Sequence, residues 1–331
     1  MVQPYPPATG GGAMLAEVVA CLRCPVCGQA LATVARPGHD GVPGALHCPR
    51  GHSFNRAKQG YVDLTAGAVP HAGDSADMVA ARAEFLGAGH YGFVAAELAA
   101  AVTAATTGAA TIGRETAAPE RGTSGAVATG AESELSTTDG AALIVDAGAG
   151  TGAHLATVLD AHPGTVGLAL DVSRYALRRA ARAHPRMAAA RCDVWTSLPL
   201  ADHCAAVLLN VFAPRNGAEF ARVLRPDGTL LVVTPGPDHL RELVDALDLL
   251  RVDPSKEDRL SASLDRWFAP VSSTVAQREL SLSHAEVETL VGMGPSAWHA
   301  GAADRAVRIE TLTEPVRVTA QVRIGRYSPR S

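Results

Sequence analysis

Long apolar runs are missing from this chain of 331 residues. No stretch of eighteen or more apolar residues occurs, so no segment reads as a transmembrane helix, and no membrane association is expected. Lysine is almost absent: only Lys58 and Lys256 occur, and arginine carries the remaining positive charge. A net charge of -4 argues against a chain coated in nucleic acid, although local basic faces can operate on an acidic protein. The opening stretch MVQPYPPATGGGAM lacks a basic segment followed by an apolar one, so it reads as a loose tail and not as a secretion signal. Cysteine is scarce after residue 50; four of the six lie before it, and only Cys192 and Cys204 follow. A secreted disulfide scaffold spreads its cysteines through a short chain, so this distribution favours reduced thiols, metal binding and a cytoplasmic setting.

What is present fits a soluble globular protein, with 47% hydrophobic and 19% charged residues and enough length for two domains. The cysteines open the functional question. Cys24 and Cys27 are separated by two residues; twenty residues later Cys48 is followed, across three more, by His52. Each pair suits one tight turn, with Pro25 and Gly28 shaping the first and Pro49 and Gly51 the second. Two such knuckles close a tetrahedron around Zn2+, and the segment between them reads as two short strands around a Gly/Pro-rich loop, a zinc ribbon. Four protein ligands leave no open position, so one structural zinc ion is expected. Cys21 is a competing ligand, and His39 and His47 are weaker ones.

Beyond the ribbon, Asp74 or Ser75 is placed to cap a helix that Gly89 ends, and a second helix is expected from Phe93 to about Val102. Residues 103–140 are polar, rich in small side chains and poor in large apolar ones, which predicts a disordered insertion, the alternative being that its first part extends the preceding helix. From Ala142 the pattern changes to five continuous apolar runs: ALIVDAG, TVGLALD, MAAARCD, CAAVLLNVF and GTLLVVTP. Runs of that kind are parallel strands buried on both faces, and helices between them would make an α/β doubly wound sheet. QRELSLS and PVRVTAQVRIGRY read as two later strands, antiparallel at the sheet edge. The expected division is a tail over 1–20, the ribbon over 21–65, and a large domain over 72–331 interrupted by the 103–140 insertion.

The first strand runs through Asp146 into GAGTGAHL, where Gly148, Gly150 and Gly152 let the backbone turn and approach a ligand. The second strand ends on Asp171, placed to accept hydrogen bonds from ribose hydroxyls. Gly148 and Gly150 with Ala153 also satisfy a dinucleotide fingerprint, so NAD is one reading. Asp146, however, would repel a pyrophosphate and suits the ammonium group of S-adenosyl-L-methionine. The helix, turn and strand of RVLRPDGTLLVVTP point the same way by fold analogy. Asp193, ending the third strand, is then placed to meet the adenine amino group, or simply caps its strand.

The strings LRCPVCG, CPRGHSFNRAKQGYVDL, GDSADMVAAR and GHY, with nearly the whole large domain, resemble the RlmA family of 23S rRNA (guanine-N1)-methyltransferases. NVFAPRN, VVTPGPDHL and GMGPSAWH are most similar to its macrolide (tylosin) resistance branch. The 103–140 insertion departs from the family pattern. The resemblance implies a Rossmann-like class I methyltransferase sheet behind a small N-terminal zinc ribbon. It implies zinc ligands at Cys24, Cys27, Cys48 and His52, and cofactor contacts at Tyr91, Gly150, Thr151 and His239. Read without it, Tyr91 is a core aromatic and His239 a helix-start residue.

The implied reaction is S-adenosylmethionine-dependent methylation of guanine N1 in a stem-loop of 23S rRNA lining the peptide exit tunnel, with macrolide resistance as an outcome and a homodimer as an allowed state. Asp193, Asn210 and His239 are expected near the pocket, but no residue is assigned to take the N1 proton, and the target guanine is not specified. RNA grip is expected from Arg23, Arg36, Arg50, Arg56, Lys58 and Arg215, and from a helical stripe of Arg174, Arg178, Arg182 and Arg186. Two other readings stand beside this one: a small-molecule methyltransferase propped by its ribbon, and a zinc-ribbon RNA-binding protein without catalysis.

Overall fold

The computed structural model describes residues 16–35, 43–67, 69, 73–112, 141–249, 263–294 and 302–330. An eight-stranded sheet forms its centre, in the spatial order β10-β11-β9-β8-β5-β6-β7-β4. The five predicted runs are β5 (Ala142–Ala147), β6 (Thr165–Asp171), β7 (Met187–Arg191), β8 (Ala205–Val211) and β9 (Leu224–Pro235). Neighbours among these five pair in parallel. β5 is buried at every position, which is why its sequence shows no alternation. β10 (Phe268–Leu282) and β11 (Val316–Pro329) are the two later strands, and β11 runs antiparallel to both β10 and β9. The turn expected at Pro226-Asp227-Gly228 appears as a bulge, because Ala205 pairs with Leu224 but Val207 pairs with Thr229.

The two sheet faces are covered differently. One face packs against α2 (Ala76–Gly87), α3 (Gly92–Ile112), α4 (Ala153–Ala161), α5 (Arg174–Ala180) and α7 (Arg241–Leu247), through Phe85, Leu98, Leu155, Leu177 and Leu243 among others. Ser75 is the N-cap of α2, its hydroxyl accepting from the Met78 amide at 3.2 Å. The opposite face carries α6 (Gly217–Val223), but no helix fills the connection from β7 to β8, where a doubly wound pattern places one. The zinc ribbon covers that side instead. Its strands β1 (Ala32–Ala35), β2 (Pro43–His47) and β3 (Ser53–Asn55) form an antiparallel sheet, and β4 (Val62–Asp63) leaves it to join the large sheet beside β7.

The tail expected over 1–20 is helical from Ala16: α1 (Ala16–Cys21) buries Val18 and Val19 against the sheet. Leu22 bridges to Leu200, the Arg23 amide donates to the Pro199 carbonyl at 2.9 Å, and the Ala201 amide donates to the Cys21 carbonyl at 2.8 Å. Val18, Leu22, Leu31 and Leu46 belong to one apolar cluster with Val145, Val166 and Leu168. A ribbon too small for its own core therefore borrows one face of the sheet.

Of the expected 103–140 insertion, residues 103–112 continue α3, since a run rich in alanine has high helix propensity. Residues 113–140 lie outside the described residues. Among the described residues no single helix is long and apolar enough to cross a membrane. Leu22 is fully buried at the seam between ribbon and sheet. Leu22→Ala should lower unfolding free energy by about 2–5 kcal/mol. Chemical denaturation would then show ribbon and sheet losing stability together, whereas an unchanged sheet transition would mean that the seam is not cooperative.

Candidate functional site: a glycine loop under an aromatic cluster, behind a zinc ribbon

The two cysteine knuckles come together. Gly28 donates its amide to the Cys24 carbonyl at 2.8 Å, and Gly51 donates to the Cys48 carbonyl at 3.0 Å. Both glycines have left-handed backbones, φ +73° and +85°, which close each knuckle without strain. The ligand atoms of Cys24, Cys27, Cys48 and His52 lie within 4.8 Å of one another. Cys27 and Cys48 Sγ are 3.7 Å apart, and His52 Nδ1 is 3.5 Å from Cys24 Sγ and 3.3 Å from Cys48 Sγ. A zinc tetrahedron has S–S edges of about 3.7 Å and S–N edges of about 3.6 Å, so this donor set fits the ion. The competing ligands fall away. Cys21 hydrogen-bonds the Cys204 thiol, His47 Nε2 lies 3.3 Å from Ser53 Oγ, and His39 is outside the described residues.

The second cluster lies at the carboxyl ends of β5, β6 and β8. Gly148, Gly150 and Gly152 all have left-handed backbones, and a Cβ at Gly148 would stand 2.4 Å from the Ala213 Cβ. Asp171 holds the loop in place: Oδ2 accepts from the Gly150 amide at 2.8 Å and Oδ1 from the Ser173 amide at 2.7 Å. Each oxygen keeps a second lone pair for a ribose hydroxyl. Arg82 of α2 lies over the loop, paired with Asp74 and donating to the Met293 carbonyl at 2.8 Å. Thr151 is buried inside the loop. Asp193 is buried at the end of β7, with Oδ1 accepting from the Trp195 amide at 3.0 Å, so the strand-end cap is realised.

Asp146 is fully buried, and its Oδ1 has no hydrogen-bond partner among the described residues. Burial first, and then the nearby Asp171 charge, push its carboxyl up to about 8. One strand away, Asn210 donates through Nδ2 to the Ala147 carbonyl at 3.0 Å and to the Pro214 carbonyl at 2.8 Å, leaving its buried Oδ1 without a partner. Two orphaned acceptors beside a glycine loop call for a cation or donor from a ligand. S-adenosylmethionine, with an ammonium and a sulfonium centre, fits this need; a pyrophosphate does not. His154, at the start of α4, is driven down to about 4 by burial and by Arg82, so it adds no charge.

Tyr91 and His239 meet as well. The Tyr91 hydroxyl is 3.3 Å from His239 Nε2, and His239 Nδ1 accepts from the Gln321 amide at 3.2 Å. Tyr91 stacks edge-on against Phe85 and Phe93 at 5.3 and 6.0 Å, as a core aromatic does. Gln321 fixes the loop that carries His239. Its Oε1 accepts from the Asp238 amide at 3.2 Å, and a Cβ at Gly236 would collide with that oxygen at 2.3 Å.

Arg82 and Gln321 had no role from the sequence, and Asn210 was expected only to lie near the pocket. A polar residue inside an apolar strand run, as in LLNVF and TAQVRI, was the available signal for Asn210 and Gln321. The predicted basic stripe does not form. α5 stops at Ala180, and Arg186 turns inward to the carbonyls of Leu159, His162 and Thr165, while Arg174 and Arg178 flank the Tyr175 ring. Arg23 is bound to the Ala20 and Leu22 carbonyls, and Arg56 to that of Gly60. Arg36 lies outside the described residues.

A parallel sheet closed by an antiparallel hairpin, with an acid-tipped first strand running into a glycine loop, defines a class I S-adenosylmethionine-dependent methyltransferase. Here it is fused to a structural zinc ribbon. Comparison with known proteins narrows the class. Residues 22–66 match the family model described as RlmA, N-terminal. A Micromonospora griseorubida protein provisionally named 23S rRNA (guanine-N(1)-)-methyltransferase is 56% identical over 93% of this chain and 97% of its own length. The 23S rRNA (guanine(748)-N(1))-methyltransferase of Streptomyces fradiae is 43% identical over the same shares, 93% and 97%. A Bacillus subtilis protein, YxjB, provisionally given the same class of name, is 30% identical over 55% of this chain and 66% of its own. The chain belongs to the RlmA family of 23S rRNA (guanine-N1)-methyltransferases.

Two outcomes test the two clusters. Elemental analysis should find one zinc ion per chain, and Cys48→Ser should lose it together with ribbon protection in hydrogen exchange. Asp146 has a folded-state pKa above its unfolded 3.8, so its contribution to stability is present in acid and is lost as pH rises toward 8. Asp146→Asn escapes that loss. Its melting temperature should exceed that of the ligand-free parent by a margin that widens from pH 5 to pH 8, while S-adenosylmethionine no longer raises it. A margin independent of pH would contradict a protonated, buried Asp146.

Proposed function

We propose that this protein transfers the methyl group of S-adenosylmethionine to N1 of one guanine in 23S rRNA. The pair of orphaned acceptors, Asp146 Oδ1 and Asn210 Oδ1, carries this reading, because they demand a cationic ligand where the sheet places its cofactor. When bound, that cofactor supplies an electrophilic methyl group on sulfur. Asp146 would receive its ammonium group, Gly148, Gly150, Thr151 and Gly152 would shape the backbone around it, Asp171 would accept from the ribose hydroxyls, and Asp193 would accept from the adenine amino group. Tyr91 and His239, joined by their hydrogen bond, would also hold it.

Guanine N1 lies on the Watson–Crick edge and carries a proton at neutral pH, so the base must be unpaired or flipped out, and the proton must leave as the methyl arrives. Burial raises the Tyr91 pKa above that of an ordinary phenol, so Tyr91 stays a neutral hydroxyl. No side chain is assigned as the proton acceptor, and positioning of the two reactants supplies the rate advantage the site accounts for.

The same proposal divides the chain into a ribbon over 21–65 that docks a stem-loop and a domain over 72–331 that methylates it, acting in the cytoplasm where ribosomes are made. Exposed Arg50 and Lys58 on the ribbon support the docking role. A homodimer is part of it, supported by the free edge of β10, where Val271 and Val275 are exposed. Macrolide resistance is the outcome we attach to the reaction, since the Streptomyces fradiae relative, named for guanine 748, is 43% identical.

The deciding experiment is transfer of label from S-adenosylmethionine to unmodified 23S rRNA, followed by primer extension. A methyl on N1 blocks Watson–Crick pairing, so a single new stop should appear beside the target guanine. Cofactor binding without label in RNA would overturn the proposal.

A further inference from the structure

Four non-glycine residues among the described ones have left-handed backbones: His203, Phe212, Leu240 and Asp248. Six large hydrophobic residues are strongly exposed: Val26, Trp195, Phe212, Val271, Val275 and Val307. Phe212 alone belongs to both groups. Its φ is +52°, a conformation that costs an aromatic residue free energy, and its side chain is left 43% exposed instead of being buried in return. Burial of the ring does not offset that strain in full.

Its setting gives it a use. Phe212 follows β8 directly, two residues past Asn210, whose unpartnered oxygen marks the cofactor position. Its amide donates to the Val233 carbonyl at 3.1 Å, which ties the strained residue to β9. The next residue, Ala213, packs on the glycine loop at Gly148, and Asn210 pins the Pro214 carbonyl. The ring itself reaches Tyr91 and His239, with centroids 6.4 and 6.0 Å away, and is otherwise partly exposed.

Building on the proposed guanine methylation, we infer that Phe212 is the platform on which the extruded guanine stacks, setting N1 against the methyl group. Every base has a π-face, and a flat aromatic ring replaces the stacking that the base loses when it leaves its helix. Neighbouring Tyr91 and His239 limit how the ring can turn, so the stacked base inherits a fixed orientation. The group transferred, the bond made at N1 and the bond broken at sulfur are those of the parent reaction.

The test compares Phe212→Leu, Phe212→Ala, Phe212→Tyr and Phe212→Trp in the full-length, zinc-loaded protein, with a 23S rRNA fragment as substrate. Melting curves establish that each variant folds, and equilibrium dialysis measures S-adenosylmethionine affinity. Leucine and alanine should lower kcat/KM for RNA by roughly 10- to 100-fold while cofactor affinity stays within about twofold, and tyrosine and tryptophan should restore most of the loss. Leucine fills the same space without a π-face, so a merely apolar role predicts wild-type rates for it, and that result overturns the inference. Loss of cofactor affinity in step with activity would overturn it too, by assigning the ring to the cofactor. If the wild-type protein binds cofactor but labels no RNA, the parent reading fails first, and this one with it.

Discussion

The buried carboxyl of Asp146 is the constraint around which the site is arranged. An acid at the inner end of a fully buried strand pays heavily for ionising, and a second acid, Asp171, stands on the adjacent strand. The chain supplies no partner for Asp146 Oδ1, though it supplies two amides for Asp171. Such an arrangement leaves a buried acceptor that the described residues do not satisfy. On the next strand Asn210 is held in place by the Ala147 and Pro214 carbonyls. Arg82 stands over the loop, committed to Asp74 and to the Met293 carbonyl.

The ribbon solves a different problem with the same sheet. A unit of some forty residues buries too little apolar surface to fold alone, and zinc supplies one part of the deficit. The face of β5, β6 and β7 supplies another, through Leu22, Leu31 and Leu46. In return the ribbon occupies the side of the sheet where the β7–β8 connection has no helix, and β4 extends the sheet by one strand. The ribbon and the sheet that carries Asp171 and Asp193 thus share one apolar cluster.

Much of this was legible in the sequence, for reasons of locality. The zinc ligands stand at spacings that a single turn enforces, and the continuous apolar runs of β5 to β9 follow from burial on both faces. Asp146, Asp171 and the three glycines are strand-end and loop positions that a one-dimensional pattern can locate. What escaped reading depends on contacts distant in sequence. Arg186 looked like the last step of a basic stripe, yet three carbonyls at the end of α4 and the loop after it bind it inward. Val18 and Val19 looked like part of a loose tail because the sheet face that buries them is more than a hundred residues away. The extension of α3 beyond Val102 rests on alanine content, which composition alone could not separate from the small-residue stretch that follows.

Strain at the site is placed where it can be held. Phe212 follows β8 and Leu240 lies shortly beyond β9, and these two left-handed residues flank the Tyr91–His239 pair from opposite loops. Each is tied to the sheet by a backbone hydrogen bond, Phe212 to Val233 at 3.1 Å and Leu240 to Thr319 at 2.7 Å. A flexible loop could not sustain either conformation, since relaxation would recover the cost at once. Fixing both loops in advance spares the protein the ordering of its aromatic wall when a base arrives, and that matters for a substrate which must already give up its own stacking and pairing to reach the site. The entropy of arranging the site is met during folding, so the energy of binding the base can be directed to extracting it.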